Sequence, residues 1–398
     1  MIQRKLIIFS PFKENGSWQA GSLLRFHGYT NGLENTIPNI IHYGYGMSNA
    51  VHASQFVSCT IHRRWRKIMF IHNVLFFGTL RFFSFLLRII IENYSHVKEL
   101  DQLGRNVLFY SHQDSSLATY LHITRNVPYV YDIHGIFAVQ KEYTINYNWW
   151  KKFWFRIYLK HERIVFENAP FLNVVSREMA VYIQSNYNVS GRILLAPDGI
   201  PDTIENYQLT PMVNLDVYRG NGKKIILFAG SCKPMGGAKQ LLETYLQSKA
   251  LQDEALLLLI TTDNRYLEGV DRNENVKIIP PMLHTELIGY MKAADVIVCP
   301  DNEDNVYNQI CPHIKFYDAL ATGTPIVVTD LSVNRNIMKN MNYPVFYFSK
   351  KGVSLENSLL KAIKVEHCSI DIEMLSNLTY AYQMKEYWKM NLELLLKS

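Results

Sequence analysis

A lysine and a carboxylate lie close together just before a predicted buried strand. The stretch reads PHIKFYDALATGTPIVVTD, residues 312–330. Lys315 and Asp318 are three residues apart in a helix-length segment, so they share one helical face. The lysine could bind phosphate oxygens, and a carboxylate one turn into a helix can accept hydrogen bonds from the two vicinal hydroxyls of a ribose. The alternative is an exposed ion pair between the two side chains, worth roughly a few tenths of a kcal/mol.

A second loop has the composition of an anion site. It reads FAGSCKPMGGAKQLL, follows a predicted strand and opens a predicted helix near Ala238. Gly230, Gly236 and Gly237 would let backbone N–H groups approach a phosphate, with Lys233 as a point charge. The spacing is not that of a P-loop, and an ordinary strand–helix turn also uses glycine.

The elements that must position these residues are short apolar strands alternating with helix-length segments. Runs of four to seven apolar residues without alternation are typical of strands covered on both faces, and their alternation with helices predicts parallel sheets. The predicted strands are KLIIFS, NVLFYSH, PYVYDIH, FLNVVS and RILLAP, then KKIILFAG, LLLLIT, NVKIIP, DVIVCP and TPIVVTD.

The two series predict two doubly wound domains that face each other across a ligand cleft. A chain of 398 residues is also long for a single core. The stretch between the series is rich in proline, glycine and polar residues. We predict a first domain over 1–204, a second over 205–378, and a final helix over 379–398 that packs back on the first.

Composition excludes some classes of function. The net charge of +6 is mild and no nucleic-acid motif is present, so we expect no nucleic acid as a partner. The five cysteines are scattered without metal-ligand spacing, which suits reduced thiols and a cytoplasmic location. The polar run DNEDN, residues 301–305, follows a strand, and we interpret it as a solvated loop rather than a metal site.

Two segments rich in aromatic and basic residues bear on membranes. Residues 66–91 are apolar, but Arg81 and Arg88 interrupt them, so we predict a long amphipathic helix that does not cross the bilayer. This segment and NYNWWKKFWFRIYLKHERIVF, residues 146–166, suit the cytoplasmic face of a membrane with anionic headgroups. The alternative is that both are helices whose aromatic faces pack on the first sheet.

Residues 312–330 resemble the P-x-K-x-x-E-x-x-A-x-G-x-P-[IV]-V segment of family 4 glycosyltransferases. The resemblance extends in order along most of the chain, through GSWQAGSLLRFHGYTNGLE, VPYVYDIHGIF, FLNVVSREM, LLAPDGIPDTI, ILFAGSCKPMGGAKQLLETY, ENVKIIPPMLHTELIGYMKAADVIVCP and YQMKEYWKMNLELLL. It implies the GT-B fold, in which two Rossmann-like domains bind acceptor and donor. It also implies sugar transfer with retention of configuration, without an obligatory metal or other cofactor.

The resemblance carries over residue by residue, with departures. Asp318 stands where the family has the ribose-binding glutamate. An arginine and a lysine of the family's phosphate clamp fall on the uncharged Ser231 and Gly236, and the first glutamate of its E-x7-E pair falls on Ile310. Lys239, Lys233 or Lys315 could supply the missing charge. The donor set is completed by two glycines of the glycine loop and by the first three residues of the segment 312–330: Gly230, Gly237, Pro312, His313 and Ile314.

His134 matches the family histidine near the donor sugar and the acceptor hydroxyl, although a histidine satisfied at a strand end is the alternative. Asp132 could orient its backbone or cap a turn. Gly16, Ser17 and Gly21 match the family's glycine-rich first loop, where acceptor and phosphate would meet. With His134, the resemblance makes Lys233 and Lys315 the candidate catalytic residues.

The sequence therefore predicts a glycosyltransferase that uses a nucleotide sugar, most simply a UDP- or GDP-sugar, and a glycan or lipid-linked acceptor. Its predicted setting is surface-polysaccharide assembly in the cytoplasm or at the cytoplasmic membrane face. Two alternatives remain open. One is a nucleotide-sugar epimerase on the same fold, which would need more carboxylates facing the cleft. The other is a degenerate binding subunit without catalysis, which would explain the uncharged clamp.

Overall fold

The computed structural model describes these parts of the chain: residues 5–10, 40–44, 55–56, 107–112, 122, 126, 128–136, 138–139, 149–219, 222–232, 236–261 and 273–397. The predicted sites at Gly16, Ser17, Gly21 and Lys233 lie outside the described residues. So does the apolar segment 66–91.

The first sheet has seven parallel strands in the order β3-β2-β1-β4-β5-β6-β7. Its strands are β1 (Lys5–Ser10), β2 (Ile40–Gly44), β3 (Gln55–Phe56), β4 (Val107–His112), β5 (Tyr129–Ile133), β6 (Phe171–Val174) and β7 (Arg192–Leu195). Strands β1 and β4 pair directly, although β2 and β3 lie between them in the sequence. The direction of winding therefore reverses between β1 and β4.

The second sheet has six parallel strands in the order β10-β9-β8-β11-β12-β13. Its strands are β8 (Lys224–Ala229), β9 (Ala255–Ile260), β10 (Val276–Ile279), β11 (Val296–Cys299), β12 (Ile326–Thr329) and β13 (Val345–Phe348). The winding reverses between β8 and β11, which pair directly. The two doubly wound parallel sheets predicted from the sequence are confirmed.

Helices connect these strands. Those described are α1 (Trp149–Asn168), α2 (Arg177–Asn186), α3 (Ile204–Leu209), α4 (Asp216–Arg219), α5 (Ala238–Gln247), α6 (Lys249–Glu254), α7 (His284–Ala293), α8 (Val306–Ile310), α9 (Ile314–Leu320), α10 (Ser332–Met338), α11 (Leu355–Ala362), α12 (Ile372–Ser376) and α13 (Tyr380–Lys397). None of the helices in the described ranges is long and apolar enough to span a membrane.

The second sheet is buried on both faces, as its apolar runs predict. Along β8, Ile225 and Leu227 enter one core cluster, whereas Ile226 and Phe228 enter the cluster on the opposite face. Since successive side chains of a strand point to opposite faces, only a strand covered on both sides needs apolar residues at every position. All the positions of β9 are buried in the same way.

Two connections join the first sheet to the second. The segment after β7 enters the core of the second domain at Ile200, Ile204 and Tyr207. At the other end, α13 returns to the first domain, where the Tyr387 hydroxyl donates a hydrogen bond of 2.8 Å to Asn173 Oδ1 in β6. The predicted return of the last helix is thus confirmed, while the domain limits at 204 and 378 stay predictions.

We expect Asp295, which precedes β11, to contribute to stability in a pH-dependent way. Its Oδ2 accepts hydrogen bonds from Arg219 Nη1 at 2.5 Å and from the Ile225 N–H at 2.8 Å. Burial opposes ionisation, but these donors and Lys224 outweigh it and lower the pKa of Asp295 below its ordinary value. Asp295→Asn should cost about 1–3 kcal/mol of unfolding free energy at pH 7, measured by urea denaturation.

Because the folded-state pKa is lowered, this contribution is present above the unfolded-state value near 3.8 and is lost as pH falls through the folded-state pKa. The difference between wild type and Asp295→Asn should therefore shrink below about pH 4. Asp216→Asn is the matched control, because its exposed carboxylate lies 3.7 Å from the same Arg219 and should contribute less than about 0.5 kcal/mol. Equal costs for the two variants would contradict the assignment.

Candidate functional site

The loops after β8 and β11 meet at the point where the winding of the second sheet reverses. Gly236 and Asp301 form an antiparallel bridge, and the Gly237 N–H donates to the Pro300 carbonyl at 3.2 Å. A Cβ added to Gly237 would lie 2.7 Å from Cβ of Pro300 and 2.9 Å from its carbonyl carbon. Glycine is therefore required for this contact, whatever the loop binds. Gly230, with φ of +149°, turns the chain at the end of β8.

Asp301 is the centre of a charged cluster at this edge. Its side chain is 4% exposed, and Oδ1 lies 3.4 Å from Lys315 Nζ and 3.3 Å from His313 Nε2. Its backbone is held by Thr329, whose hydroxyl oxygen accepts from the Asp301 N–H at 2.7 Å. The interpretation of residues 301–305 as a solvated loop is wrong for Asp301 and Asn305, both of which are buried.

Lys315 lies on α9 and also belongs to this cluster. Besides Asp301, its ammonium group contacts the Pro300 carbonyl at 3.4 Å and lies 5.6 Å from the centre of the Phe228 ring. These contacts fix the lysine at the carboxyl end of β8 and β11. The exposed ion pair with Asp318, which the sequence left open, does not form.

His313 directly precedes α9 and also faces Asp301. Its Nε2 lies 3.1 Å from Asn308 Oδ1, and 29% of its side chain is exposed. Burial and then the charge of Lys315 lower the pKa of His313, while the charge of Asp301 opposes this shift and the net direction is down. The imidazole is therefore neutral at pH 7 in the free protein.

Asp318 lies one turn further along α9 and is 4% exposed. Its Oδ1 accepts hydrogen bonds from the Tyr207 hydroxyl at 2.5 Å and from His284 Nε2 at 3.0 Å. Oδ2 accepts no hydrogen bond from any described residue. One oxygen of the carboxylate is thus fixed by the protein, and the other is available to a ligand.

The two residues that hold Asp318 come from different elements. Tyr207 belongs to α3 in the connection between the sheets, and His284 begins α7. Burial and then the charge of Asp318 raise the pKa of Tyr207 well above its ordinary value, so its hydroxyl stays a donor. Burial disfavours the charged form of His284, but its hydrogen bond to Asp318 and the charges of Asp318 and Asp202 outweigh this and raise its pKa.

A surface cavity of about 290 Å³ opens beside Tyr207 and His284. It lies between α3 and α7, and its lining mixes polar and apolar side chains: Asp202, Asn206, Tyr207, Leu209, Thr210, His284, Thr285 and Ile288. Neither Tyr207, His284 nor Asp301 was predicted from the sequence as a site residue. Tyr207 and His284 become recognisable as site residues only through their contacts with Asp318, which is distant from both in the sequence. Asp301 becomes recognisable only through its contact with Lys315, which depends on how the chain turns between them.

In the first domain, His134 follows β5 and is paired with Asp132. His134 Nε2 lies 2.7 Å from Asp132 Oδ2, with side chains 9% and 0% exposed. Asp132 is therefore placed to orient the imidazole ring. The His134 carbonyl accepts a hydrogen bond from Cys311 Sγ at 3.3 Å, so this corner of the first domain touches the second just before Pro312.

The segment before Pro312 is inserted into the first domain. Ile310 and Cys311 are buried in its core cluster, and the Ser176 hydroxyl donates a hydrogen bond to the Ile310 carbonyl. Where the resemblance places a glutamate, this chain thus has an apolar contact between the two domains.

The remaining predicted residues are placed as follows. Ser231 is exposed at the end of β8. Lys239 forms an i,i+4 ion pair with Glu243 at 3.6 Å and is 75% exposed. Within the ranges that the structure describes, no three His, Cys, Asp or Glu side chains are grouped as a metal site.

Comparisons with known proteins agree with this architecture. Residues 223–355 match the family model described as glycosyl transferases group 1. No curated protein sequence matches the chain.

Three solved structures illustrate the likeness of fold. The sucrose-phosphate synthase of Thermosynechococcus elongatus has a TM-score of 0.63 at 14% identity, with 99% of this chain and 96% of that chain covered. WaaG, a glycosyltransferase involved in lipopolysaccharide biosynthesis, has a TM-score of 0.56 at 15% identity, with 98% and 97% covered. The UDP-forming α,α-trehalose-phosphate synthase of Burkholderia xenovorans has a TM-score of 0.59 at 12% identity, with 99% and 100% covered.

These likenesses confirm the predicted GT-B fold, with Rossmann-like parallel-sheet domains. The matched region begins at residue 223, just before β8, and ends at residue 355, at the start of α11, so it contains Asp301, His313, Lys315 and Asp318. The chain therefore has the GT-B architecture, and its second sheet carries a region similar to the group 1 glycosyltransferases.

Proposed function

We propose that the protein is a glycosyltransferase that moves a sugar from a nucleotide-sugar donor to a hydroxyl of an acceptor. The observation that carries this proposal is Asp318, which has one oxygen fixed by Tyr207 and His284 and one free, within the region that matches the family model. A carboxylate held in this way can accept hydrogen bonds from the hydroxyls of a ribose.

The donor would lie along the carboxyl edge of the second sheet. Its ribose would bind Asp318 Oδ2, and its diphosphate would lie between Lys315 and the glycine loop of residues 230–237. The backbone at Gly237 begins α5, whose N-terminus favours negative charge. Pro312, His313 and Ile314 would border the diphosphate from the other side. A UDP- or GDP-sugar is the simplest donor, and the Burkholderia neighbour is UDP-forming.

The acceptor would enter from the first domain. His134, oriented by Asp132, would contact the transferred sugar or the attacking hydroxyl, and the loop containing Gly16, Ser17 and Gly21 would complete this side. We propose retention of configuration, as in family 4. Lys315 and, from the loop, Lys233 would neutralise charge that develops on the departing diphosphate. No obligatory metal or other cofactor is part of this proposal, and closure of the domains would exclude water.

A peripheral membrane location is part of the proposal. On α1, Lys152, Arg156, Lys160 and Arg163 are all exposed, and their spacing places them on one helical face. Such a basic face suits an anionic lipid surface. The acceptor would then be a lipid-linked glycan at the cytoplasmic membrane face, in surface-polysaccharide synthesis.

One observation favours a second candidate, a GT-B binding subunit without catalysis. The positive charge of Lys315 is compensated by Asp301, Lys239 is paired with Glu243, and Ser231 and Gly236 are uncharged. A diphosphate leaving group needs positive charge, and of the three candidate lysines Lys233 is the one that is left to add it. The two candidates differ in one measurable property, because an enzyme releases nucleotide and a binding subunit does not.

We expect nucleotide binding to stabilise the protein through Asp318. A panel of UDP, GDP, ADP and CMP with their sugars is compared by thermal unfolding of the wild type and of Asp318→Asn, which retains the size of the side chain. A nucleotide at 100 times its Kd should add about 2.7 kcal/mol of unfolding free energy, and the variant should lose most of it.

Asp304→Asn is the control for Asp318→Asn, because Asp304 is exposed and paired with Lys350 in the same domain. It should retain the full stabilisation. If no nucleotide stabilises the wild type, the proposed donor function is wrong. Stabilisation that Asp318→Asn retains would instead show that the ribose lies elsewhere.

We expect Lys315→Met to lower kcat more than it weakens ground-state donor binding. Loss of an electrostatic contact to the developing charge typically lowers kcat by about 10²–10³. Nucleotide release from the donor that stabilises the protein is measured with an enzyme-coupled assay, with Lys350→Met as an exposed control. Absence of nucleotide release by the wild type, with every acceptor class tested, would favour the binding subunit.

We expect the basic face of α1 to bind anionic vesicles. Replacing Lys152, Arg156 and Lys160 by Gln should weaken binding to vesicles with phosphatidylglycerol by about 100-fold, at about 1 kcal/mol per charge. Sedimentation with vesicles measures this. A triple variant of Lys277, Lys339 and Lys364, exposed lysines of the second domain, is the control. Equal losses for both triple variants would exclude a specific basic face.

A further inference from the structure

The site proposed for a diphosphate contains a buried carboxylate where the ligand needs positive charge. Asp301 Oδ1 lies 3.4 Å from Lys315 Nζ, so the free site is already compensated without a ligand. The bridge to Gly236 and the hydrogen bond to Thr329 hold the Asp301 backbone in place. An arriving diphosphate would therefore meet one positive and one negative side chain, whose charges cancel. The two negative charges of the diphosphate would then be uncompensated.

His313 is the neighbouring group that can change its charge. The titratable or charged side chains described around it are Asp301 after β11, Lys315 on α9 and Tyr307 on α8, whose ring centre lies 5.9 Å from that of the imidazole. The fourth contact is the neutral amide of Asn308. With 29% of its side chain exposed, His313 is also accessible to a ligand and to a proton from solvent.

The contacts of His313 determine its tautomer. Nε2 faces two oxygens that only accept, Asn308 Oδ1 at 3.1 Å and Asp301 Oδ1 at 3.3 Å. The Asn308 amide is oriented by its Nδ2, which donates to the Asn302 carbonyl at 3.1 Å. Nε2 therefore carries the hydrogen, and Nδ1 is the basic nitrogen that accepts the second proton when the ring becomes charged.

We propose that His313, beside Asp301, takes up a proton at Nδ1 when the diphosphate of a nucleotide sugar binds at Lys315. This inference rests on the proposed donor function and adds to it how the site compensates the charge of the donor. The uptake supplies the positive charge that Ser231 and Gly236 lack in comparison with the family pattern. Asp301 and His313 thus act as specificity-determining residues, because only a ligand with enough negative charge makes protonation favourable.

The sign of the pH dependence follows from linkage. Burial and Lys315 lower the pKa of His313 in the free protein, and two phosphate charges at its side raise it in the complex. A ligand that raises a pKa binds more tightly at lower pH. Affinity should fall by up to about tenfold per pH unit as pH rises from the free-state pKa to the bound-state pKa.

Titration calorimetry measures the uptake directly. UDP-glucose, GDP-mannose and ADP-glucose are tested at pH 7 in buffers with different ionisation enthalpies, and the slope of the observed enthalpy gives the number of protons. A nucleotide sugar is used because neither of its phosphates is a terminal monoester, so the ligand itself does not titrate near neutral pH. We expect the protein to take up about one proton when it binds the sugar nucleotide.

Two substitutions assign the proton. His313→Gln should abolish the uptake and flatten the pH profile, whereas His367→Gln, a histidine that contacts the Ala294 carbonyl outside the site, should change neither. Asp301→Asn should bind the nucleotide sugar about tenfold more tightly at pH 8, because a repelling carboxylate is removed. Its proton uptake should be smaller than that of the wild type, because the charge of Asp301 no longer raises the pKa of His313. Circular dichroism confirms that each variant is folded.

The outcomes separate the two proposals. Binding with no proton uptake, or with uptake that persists in His313→Gln, would overturn this inference and leave the donor function intact. Absence of binding by all three nucleotide sugars would overturn the donor function, and the inference with it. Uptake that is lost only in His313→Gln would support both.

Discussion

A carboxylate that is withdrawn from water needs nearby donors or positive charges, and two such carboxylates organise the edge of the second sheet. Asp301 is compensated by Lys315 and contacts His313, and Asp318 is held by Tyr207 and His284. These contacts position the side chains to which the proposed function assigns ligand binding. The protein thus has two buried carboxylates at the edge where the proposed function requires a negatively charged ligand to bind.

The segment that carries Lys315 and Asp318 also contacts the first domain. Tyr207 lies in the connection between the sheets, so the hydrogen bond to Asp318 links that connection to the proposed ribose site. On the opposite side, Ile310 and Cys311 are buried in the first-domain core, directly before Pro312. Ile310 and Cys311 thus place a contact between the domains directly before the segment that carries Lys315 and Asp318. In the proposed function, donor binding and domain closure would be coupled through this segment.

Most of the strands were predictable because a strand buried on both faces needs apolar residues at every position. Strands β8 and β9 are examples, with both faces in core clusters. Strands β2, β3 and β13 were not predicted. Strand β3 has only two residues, and the apolar run of β2 is interrupted by His42. Strand β13, with the sequence VFYF, is only partly buried at three of its four positions. The prediction that Lys315 and Asp318 share one helical face did not identify their partners. Lys315 contacts Asp301, whereas Asp318 contacts Tyr207 and His284.

By itself, the sequence determined the two parallel sheets and the return of the last helix, because these follow from local apolar patterns and from the order of motifs. Only the tertiary structure decided which charges meet. Asp301 lies in a run of polar residues that suggests a loop in water, yet it is buried against Lys315. Charge pairing and burial depend on distances between elements that are remote in the chain, such as the 111 positions between Tyr207 and Asp318, and no local pattern encodes them.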